Sequence, residues 1–412
     1  MPIKKYQQWH MLCLLILLAF SLQGCLGIGD GGNGVNNNDF QTHQTKPGES
    51  IGINKTDQAV FKGKIYFTLG RKLYVLDGAR NLTPLTDGFD VRDPAISPDG
   101  KTVAFIIRYK NYADLAMMPA TGGKMTVLRS GNGQFIHNPN SPMGAPISTA
   151  YWYAQPTWQD NKHLAFLSDW GKTYINPGVD NFMLDPQIFL VSLENPRAQP
   201  KEVAYATYGD GGNRDPSFRP NHPNQIIYTN FQYDTTSFTK QVVQIYLEDA
   251  NAIANHPGVY RPGTAGREFD PAVALTPSTP DLVNMQPAFS PDGNSLAYVR
   301  NLDATHMGLF IMPVPDNVVQ NPNDPQVKRK ALLPYNQSAR LVTAQFLGQP
   351  VWSADGTQIV YMGFSNNVFN LWLANVTKDA QTGAYKLKGD PVQLTNASAG
   401  QLDADSRPFW AV

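Results

Sequence analysis

The chain has 412 residues, of which 33 are basic and 33 acidic, so its formal net charge is zero. A neutral chain lacks the basic surface that phosphate contacts require, which argues against a nucleic-acid-binding protein. Its two cysteines are too few for a disulfide-stabilised scaffold or for a zinc site built from cysteine.

Residues 1–24 are predicted to be a signal peptide. Two lysines precede an apolar run at residues 11–20, which is too short to cross a bilayer comfortably. The Leu-Gln-Gly-Cys sequence at residues 22–25 resembles the lipobox of bacterial lipoproteins. That resemblance implies a lipid on Cys25 and, because the next residue is not aspartate, an outer-membrane position facing the periplasm. The alternative is an ordinary signal peptide in which Cys25 stands by chance.

Residues 25–57 follow as a segment rich in glycine and asparagine, without apolar periodicity. Such a composition is typical of a flexible linker. We therefore expect a tether between the lipidated cysteine and the first folded element.

A repeat accounts for the rest of the chain. Each copy has a proline, any residue, then an aromatic residue or isoleucine, followed by a polar turn and an apolar strand. The copies are 58 to 71 residues apart and begin at Pro94, Pro156, Pro216, Pro287, Pro350 and Pro408. Five of them continue into further strand-like segments, and four strands per repeat is the architecture of a β-propeller blade.

The two ends of the repeat region complement each other. Residues 64–86 supply three strand-like segments without a proline-started strand, and residues 408–410 supply such a strand with no segment after it. We therefore expect residues 58–412 to form an all-β, six-bladed propeller. The C-terminal strand would join the first blade and remove the open edges of the sheets.

Two of the turns have the sequence Ser-Pro-Asp-Gly, at residues 97–100 and 290–293, which favours a tight turn between strands. With these turns, the six copies resemble the Pro-Asp WD-like repeats of TolB-type propellers over about residues 58–412. The resemblance implies a scaffold that binds a protein partner in the cell envelope.

The residues directly before the six prolines are all polar: Asp93, Gln155, Asp215, Gln286, Gln349 and Arg407. In a propeller the first strand of every blade borders the central channel, so these side chains should surround its mouth. One interpretation is a ligand or cation site anchored by Asp93 and Asp215. The other is that the six side chains bond to neighbouring backbone and water.

Long aromatic loops are expected at the same face, at residues 151–153, 169–186 and 230–240. They include Trp152 and Trp170, which we predict to contact a ligand or partner. Exposed aromatic rings suit a protein interface or stacking on sugars. The alternative is that the loops pack on one another.

Signals for catalysis are few. None of the seven histidines belongs to a metal-binding pair of the HxH, HxxxH or HExxH type, so no metal site or catalytic residue is predicted. No cofactor is expected, with a channel cation such as calcium as the open alternative.

We therefore expect a non-catalytic lipoprotein whose propeller binds an envelope protein at its channel mouth. The alternatives are binding of a glycan or peptidoglycan fragment, and a propeller enzyme such as a polysaccharide lyase or hydrolase.

Overall fold

The computed structural model describes residues 37–133, 135–136, 147–148, 150–170, 185–204, 206, 211–234, 239–252, 272–319, 330–398 and 400–412. The predicted signal peptide and Cys25 lie outside these residues. The chain divides into two units after Asp39. A 3-10 turn, Asn37–Asp39, is what is described of the first unit, and everything below concerns residues 40–412.

Antiparallel sheets of four or five strands make up most of this unit, with strands numbered β1 to β30 in chain order. The sheet that contains the chain end has the order β30 (Phe409–Ala411), β3 (Lys64–Leu69), β4 (Lys72–Asp77) and β5 (Leu82–Pro84). The next two sheets consist of β6 (Asp90–Ile96), β7 (Thr102–Arg108), β8 (Ala113–Pro119) and β9 (Thr126–Arg129), and of β12 (Tyr153–Trp158), β13 (His163–Ser168), β14 (Gln187–Ser192) and β15 (Lys201–Ala204).

The remaining three sheets of this kind follow the same order. They consist of β16 (Gly212–Arg219), β17 (His222–Tyr233), β18 (Gln241–Asp249) and β19 (Val273–Ala274); of β20 (Asn284–Phe289), β21 (Ser295–Asn301), β22 (Met307–Pro313) and β23 (Ala339–Ala344); and of β24 (Leu347–Trp352), β25 (Gln358–Ser365), β26 (Val368–Lys378), β27 (Tyr385–Leu387) and β28 (Val392–Gln393). A short hairpin, β10 (Phe135–Ile136) with β11 (Ile147–Ser148), and one helical turn, α1 (Leu333–Asn336), lie in connections.

The first strands of these sheets lie against one another and surround a channel. β6 contacts β12, β12 contacts β16, β16 contacts β20, β20 contacts β24, and β30 contacts both β24 and β6. All-β propeller architecture, predicted from the repeat, is therefore confirmed.

The prediction of six blades was wrong. A further sheet of three strands is built from β1 (Phe40–Lys46), β2 (Glu49–Asn54) and β29 (Thr395–Asn396). With it the described residues form seven blades, counted as sheets of three or more strands. Ile51 and Ile53 of β2 are fully buried in a core that also holds residues of β3, β25 and β26. This sheet lacks the proline-aromatic signature, so counting copies of the repeat could not find it.

Residues 40–54 lie in the segment predicted to be a tether, and there they form β1 and β2 instead. The alternation of buried Ile51 and Ile53 is the strand signal in this segment, and it extends over too few residues to stand out from its polar surroundings.

The chain ends pair as the repeat indicates. β30 lies antiparallel to β3, with Trp410 opposite Ile65 and Phe409 opposite Tyr66. The indole N–H of Trp410 donates to the carbonyl oxygen of Lys62 at 2.8 Å, and its ring meets Phe61 edge-on. This pairing gives β3 a neighbour on its inner side and closes the sheet.

The repeated aromatic position packs between sheets, as the sequence indicates. Its six members are buried: Ile96, Trp158, Phe218, Phe289, Trp352 and Trp410. Two of the tryptophans donate to the first strand of the preceding sheet, Trp158 to the carbonyl of Ala95 and Trp352 to that of Ala288. Each such bond ties one sheet to the next.

Replacing Trp410 tests the closure. We expect Trp410→Ala to lower the free energy of unfolding by about 3–5 kcal/mol, because a large buried ring is removed. Trp410→Phe keeps most of the packing and loses the N–H donor, so its loss should be about 1 kcal/mol. Chemical denaturation followed by circular dichroism measures both, and equal stability of Trp410→Ala and the parent chain would contradict the role assigned to this strand.

Candidate functional site

The mouth of the channel is the face at which the first strands begin. Five of the six polar residues before the prolines have positive φ angles, between 44° and 56°, and each coincides with a shift in strand register. These five are Asp93, Gln155, Asp215, Gln286 and Gln349. Such angles are uncommon for residues with a side chain, and the cost is of the order of 1–3 kcal/mol each. The repeated bulge explains why polar side chains at this position point along the ring to the next strand.

Asp93 joins three strands of the ring. Its Oδ2 accepts the backbone N–H of Gln155 at 3.1 Å, and its Oδ1 accepts that of Arg407 at 3.0 Å. Its own N–H donates to the hydroxyl oxygen of Ser406 at 2.8 Å. Burial raises the pKa of the Asp93 carboxyl to about 6, against the lowering effect of these N–H donors and of the nearby Arg407 guanidinium.

Gln155 and Asp215 form the next link through a pair of hydrogen bonds. The backbone N–H of Asp215 donates to Gln155 Oε1 at 2.6 Å, and Gln155 Nε2 donates to Asp215 Oδ1 at 2.9 Å. Asp215 Oδ2 accepts the hydroxyl of Thr229 at 3.0 Å. That hydroxyl oxygen in turn accepts the backbone N–H of Gln286, so Thr229 carries the link to the following strand.

The last link runs from Gln286 to Gln349. Gln286 Oε1 accepts the backbone N–H of Gln349 at 2.9 Å. The equivalent atom of Gln349, its Oε1, is buried and has no hydrogen-bond partner among the described residues. The pattern predicts that the backbone N–H of Arg407 donates to Gln349 Oε1, but it donates to Asp93 Oδ1 instead. The ring closes at this hydrogen bond.

Arg407 reaches across the channel. Its guanidinium donates to the carbonyl oxygen of Pro216 at 2.9 Å and to that of Pro156 at 3.2 Å. Burial lowers its pKa, while Asp215 and Asp93 act in the opposite direction. The cation therefore ties together first strands from three sheets.

The ring thus brings together all six predicted residues, and their hydrogen bonds go mainly to neighbouring backbone. All four carboxylate oxygens of Asp93 and Asp215 already accept a donor. Within the described residues no group of three or more His, Cys, Asp or Glu side chains could hold a metal ion. This geometry favours the structural interpretation of the ring over the cation site.

The two tryptophans predicted to contact a ligand lie mostly inside the fold. Trp152 is buried, and Trp170 is half-buried with its ring edge-on to Phe189 at 5.9 Å. Trp170 belongs to the packing between β6–β9 and β12–β15. Trp152, unlike Trp170, also lines a pocket beside the ring, where it could contact a ligand.

This pocket, of about 290 Å³, lies at the mouth between β6–β8 and β12–β13 and is bordered by three arginines that the sequence analysis missed. Arg92 forms salt bridges with three aspartates: its Nε lies 2.7 Å from Asp90 Oδ1, and its Nη1 lies 3.1 Å from Asp403 Oδ1 and 2.6 Å from Asp405 Oδ1. The other two arginines are Arg108 and Arg214. The available signal was a repeated Arg-Asp-Pro sequence, at residues 92–94 and 214–216, which places an arginine beside each acidic member of the ring.

Exposed aromatic side chains also mark this face. Phe89, Tyr233 and Phe346 are 42%, 37% and 45% exposed. Phe89 directly precedes β6, Phe346 directly precedes β24, and Tyr233 ends the second strand of its sheet, so all three lie at the mouth. The most exposed aliphatic residues described lie at the opposite face. Leu333 and Val60 lie in connections there, and Val412 is the C-terminal residue.

Comparison with solved structures supports the fold. TolB from Acinetobacter baumannii matches with a TM-score of 0.51 and 16% identity, over 85% of this chain and 66% of that chain. The protein therefore has a TolB-like β-propeller fold and spans about two thirds of the length of that TolB.

Two further solved structures match more weakly, each at a TM-score of 0.45. One is a nidogen/laminin complex, with 11% identity over 85% of this chain and 98% of that chain. The other is an oligogalacturonate lyase in complex with manganese, with 14% identity over 84% of this chain and 82% of that chain. No protein-family model and no curated protein sequence matches the chain.

The pKa of Asp93 predicts a pH dependence of stability. Because folding raises this pKa from 3.8 to about 6, the Asp93 contribution is fully present below pH 3.8 and is lost as the pH rises through 6. The loss amounts to about 3 kcal/mol. Asp93→Asn should lack this component, so the stability of the parent chain relative to the variant should fall between pH 4 and 7. Chemical denaturation at several pH values measures the difference in unfolding free energy between the two chains. A difference that stays constant from pH 4 to 7 would contradict the raised pKa of Asp93.

Gln286 and Gln349 offer a matched pair, because both precede proline at nearly equal φ angles of 55° and 52°. Gln286→Ala leaves the buried N–H of Gln349 without its acceptor, and we expect a loss of about 1–3 kcal/mol. Gln349→Ala removes a carbonyl oxygen that has no partner, so its loss should be below about 1 kcal/mol. Unfolding midpoints in denaturant compare the two, and a larger loss for Gln349→Ala would refute the assigned hydrogen bonds.

Proposed function

We propose that this protein is a non-catalytic binding module whose channel-mouth face engages a protein partner. The observation that carries the proposal is the concentration of exposed aromatic side chains at the mouth, where Phe89, Tyr233 and Phe346 lie. Aromatic residues are enriched at protein interfaces, because a ring buries a large area and has few rotamers to fix. The face opposite the mouth has exposed aliphatic residues in its connections instead.

The polar ring supports this proposal, because it gives the face a rigid base. Asp93, Gln155 and Asp215 are buried, and their side-chain oxygens accept donors from other strands: Asp93 and Gln155 accept backbone N–H groups, and Asp215 accepts the side chains of Gln155 and Thr229. A carboxylate that is held by two donors is poorly placed to abstract or deliver a proton. A pre-organised surface, in contrast, lowers the entropic cost of binding a partner.

The location in the proposal is the cell envelope. Its support is the signal-like segment at residues 1–24, the lipobox-like sequence that ends at Cys25, and the TolB-like fold. A lipid on Cys25 would hold the propeller at the outer membrane, in the periplasm. Among the described residues, no helix has the length and apolar character to pass through a bilayer.

A crosslinking capture from intact cells tests the function. The mouth variant carries Phe89→Ser, Tyr233→Ser and Phe346→Ser, and the control carries Val60→Ser, Leu333→Ser and Val412→Ser. Both replace exposed apolar residues, so both should fold. We expect the parent and control chains to capture the same discrete protein and the mouth variant to lose at least nine tenths of it.

Equal capture by the mouth variant, or no discrete protein with any of the chains, would overturn the proposal. In the second case, glycan-binding and lyase assays on the same purified chains would decide between the two alternative functions. The unfolding midpoints of the two variants, which should agree with that of the parent chain, show that the comparison concerns the surface.

A further inference from the structure

Arg214 is a half-buried cation that lines the pocket and makes few hydrogen bonds. Its Nη1 donates to the carbonyl oxygens of Gly211 and Asn213 at 2.8 and 2.7 Å, and its guanidinium lies 5.7 Å from the centre of the Phe231 ring. Among the described residues, the side-chain hydrogen bonds found for Arg214 both come from Nη1, and it forms no ion pair with a carboxylate. Burial lowers its pKa, although Asp215 and Asp185 oppose this at longer range.

Two more donors border the same pocket. Trp152 is buried, and its indole N–H has no hydrogen-bond partner in the described part of the chain. Arg108, half-exposed at the rim, lies over the Trp152 ring at 5.9 Å and has only a long contact, 3.6 Å, from Nη1 to Asp405. An unpaired donor in a low-dielectric site costs free energy, which a ligand with acceptor atoms would recover.

Most acceptors that border the pocket are engaged, Asp405 Oδ2 with its 3.6 Å contact to Arg108 being the weakly held one. Asp93 accepts two backbone N–H groups, and Asp405 Oδ1 accepts Arg92 Nη1 at 2.6 Å. The rest of the wall is apolar, with Ile106, Leu167 and Ala113. The unused hydrogen-bonding groups of this pocket are therefore mainly donors, beside an apolar wall.

We propose that this pocket binds a carboxylate group carried on an apolar stem. The planar fork of a guanidinium matches the two oxygens of a carboxylate, and the volume of about 290 Å³ leaves room for a stem of a few carbon atoms. The inference deepens the proposed function and rests on it only for the source of the carboxylate, an acidic residue of the partner protein. The other source of the same chemistry is a free small carboxylic acid.

The test uses small probes on the purified full chain in detergent. Ligand-observed NMR titrations compare 3-phenylpropionate, its neutral amide 3-phenylpropionamide, and inorganic phosphate. We expect the carboxylate to bind at least tenfold more tightly than the amide, because only the carboxylate meets the charge of Arg214. Phosphate, which has no apolar stem, should also bind at least tenfold more weakly than 3-phenylpropionate.

Variants identify the site. Arg214→Gln and Arg108→Gln should each weaken 3-phenylpropionate binding about tenfold or more and leave amide binding unchanged. Trp152→Phe keeps the ring and removes the N–H, so a loss of several-fold is expected. Arg340→Gln, at an exposed arginine of β23 away from the pocket, is the matched control and should have no effect. If Arg214→Gln does not fold, Arg108→Gln and Trp152→Phe decide the result.

Equal binding of acid and amide, tighter binding of phosphate, or full binding by both Arg108→Gln and Trp152→Phe would overturn the inference. The probes need no partner, so its failure is distinguishable from failure of the proposed function. A partner captured by the mouth face without carboxylate binding would defeat the inference alone. Carboxylate binding by a chain that captures no protein would defeat the partner proposal and favour the free acid.

Discussion

The ring of hydrogen bonds at the channel mouth closes at Asp93, and the arrangement of the sheets around the channel relies on this closure. This single carboxylate holds the backbone N–H of Gln155 from the next sheet and that of Arg407 from the end of the chain. A propeller has no covalent seal between its first and last sheets, so its integrity depends on contacts of this kind. The position requires a side chain with two acceptor atoms, which aspartate has and glutamine lacks.

The other members of the ring show how a repeated backbone feature produces a repeated bond. A positive φ before five of the six prolines turns side chains such as those of Gln155 and Gln286 along the ring, where the amide oxygen accepts the next strand's N–H. The strain at each bulge is offset by satisfying a buried backbone donor. Deeper between the sheets, the tryptophans at the repeated aromatic position make a second set of ties, such as that from Trp158 to Ala95.

Because most polar groups of the ring are hydrogen-bonded within the fold, the groups that remain free to bind a ligand or partner lie beside and around the ring. Arg214 and Trp152 keep donors that the fold does not use, and Phe89 and Phe346 keep apolar surface that it does not bury. A rigid ring with unused groups at its rim is a suitable base for a binding face. The same scaffold could support chemistry only with groups that are not already held by the strands.

The propeller architecture, the pairing of the chain ends and the position of the polar ring could all be predicted from the sequence, although the number of blades could not. These features repeat with the chain, and a periodic pattern is a local signal that can be read without knowing which segments meet. Two features are visible only in the folded protein. One is the seventh sheet, in which β2 pairs with β29 across more than three hundred residues, and the other is the pocket that Arg108 and Arg214 line from different sheets. The fold also determines the bonding partners of Asp93. Such contacts depend on how the sheets pack around the channel, and packing between distant segments leaves no period in the sequence.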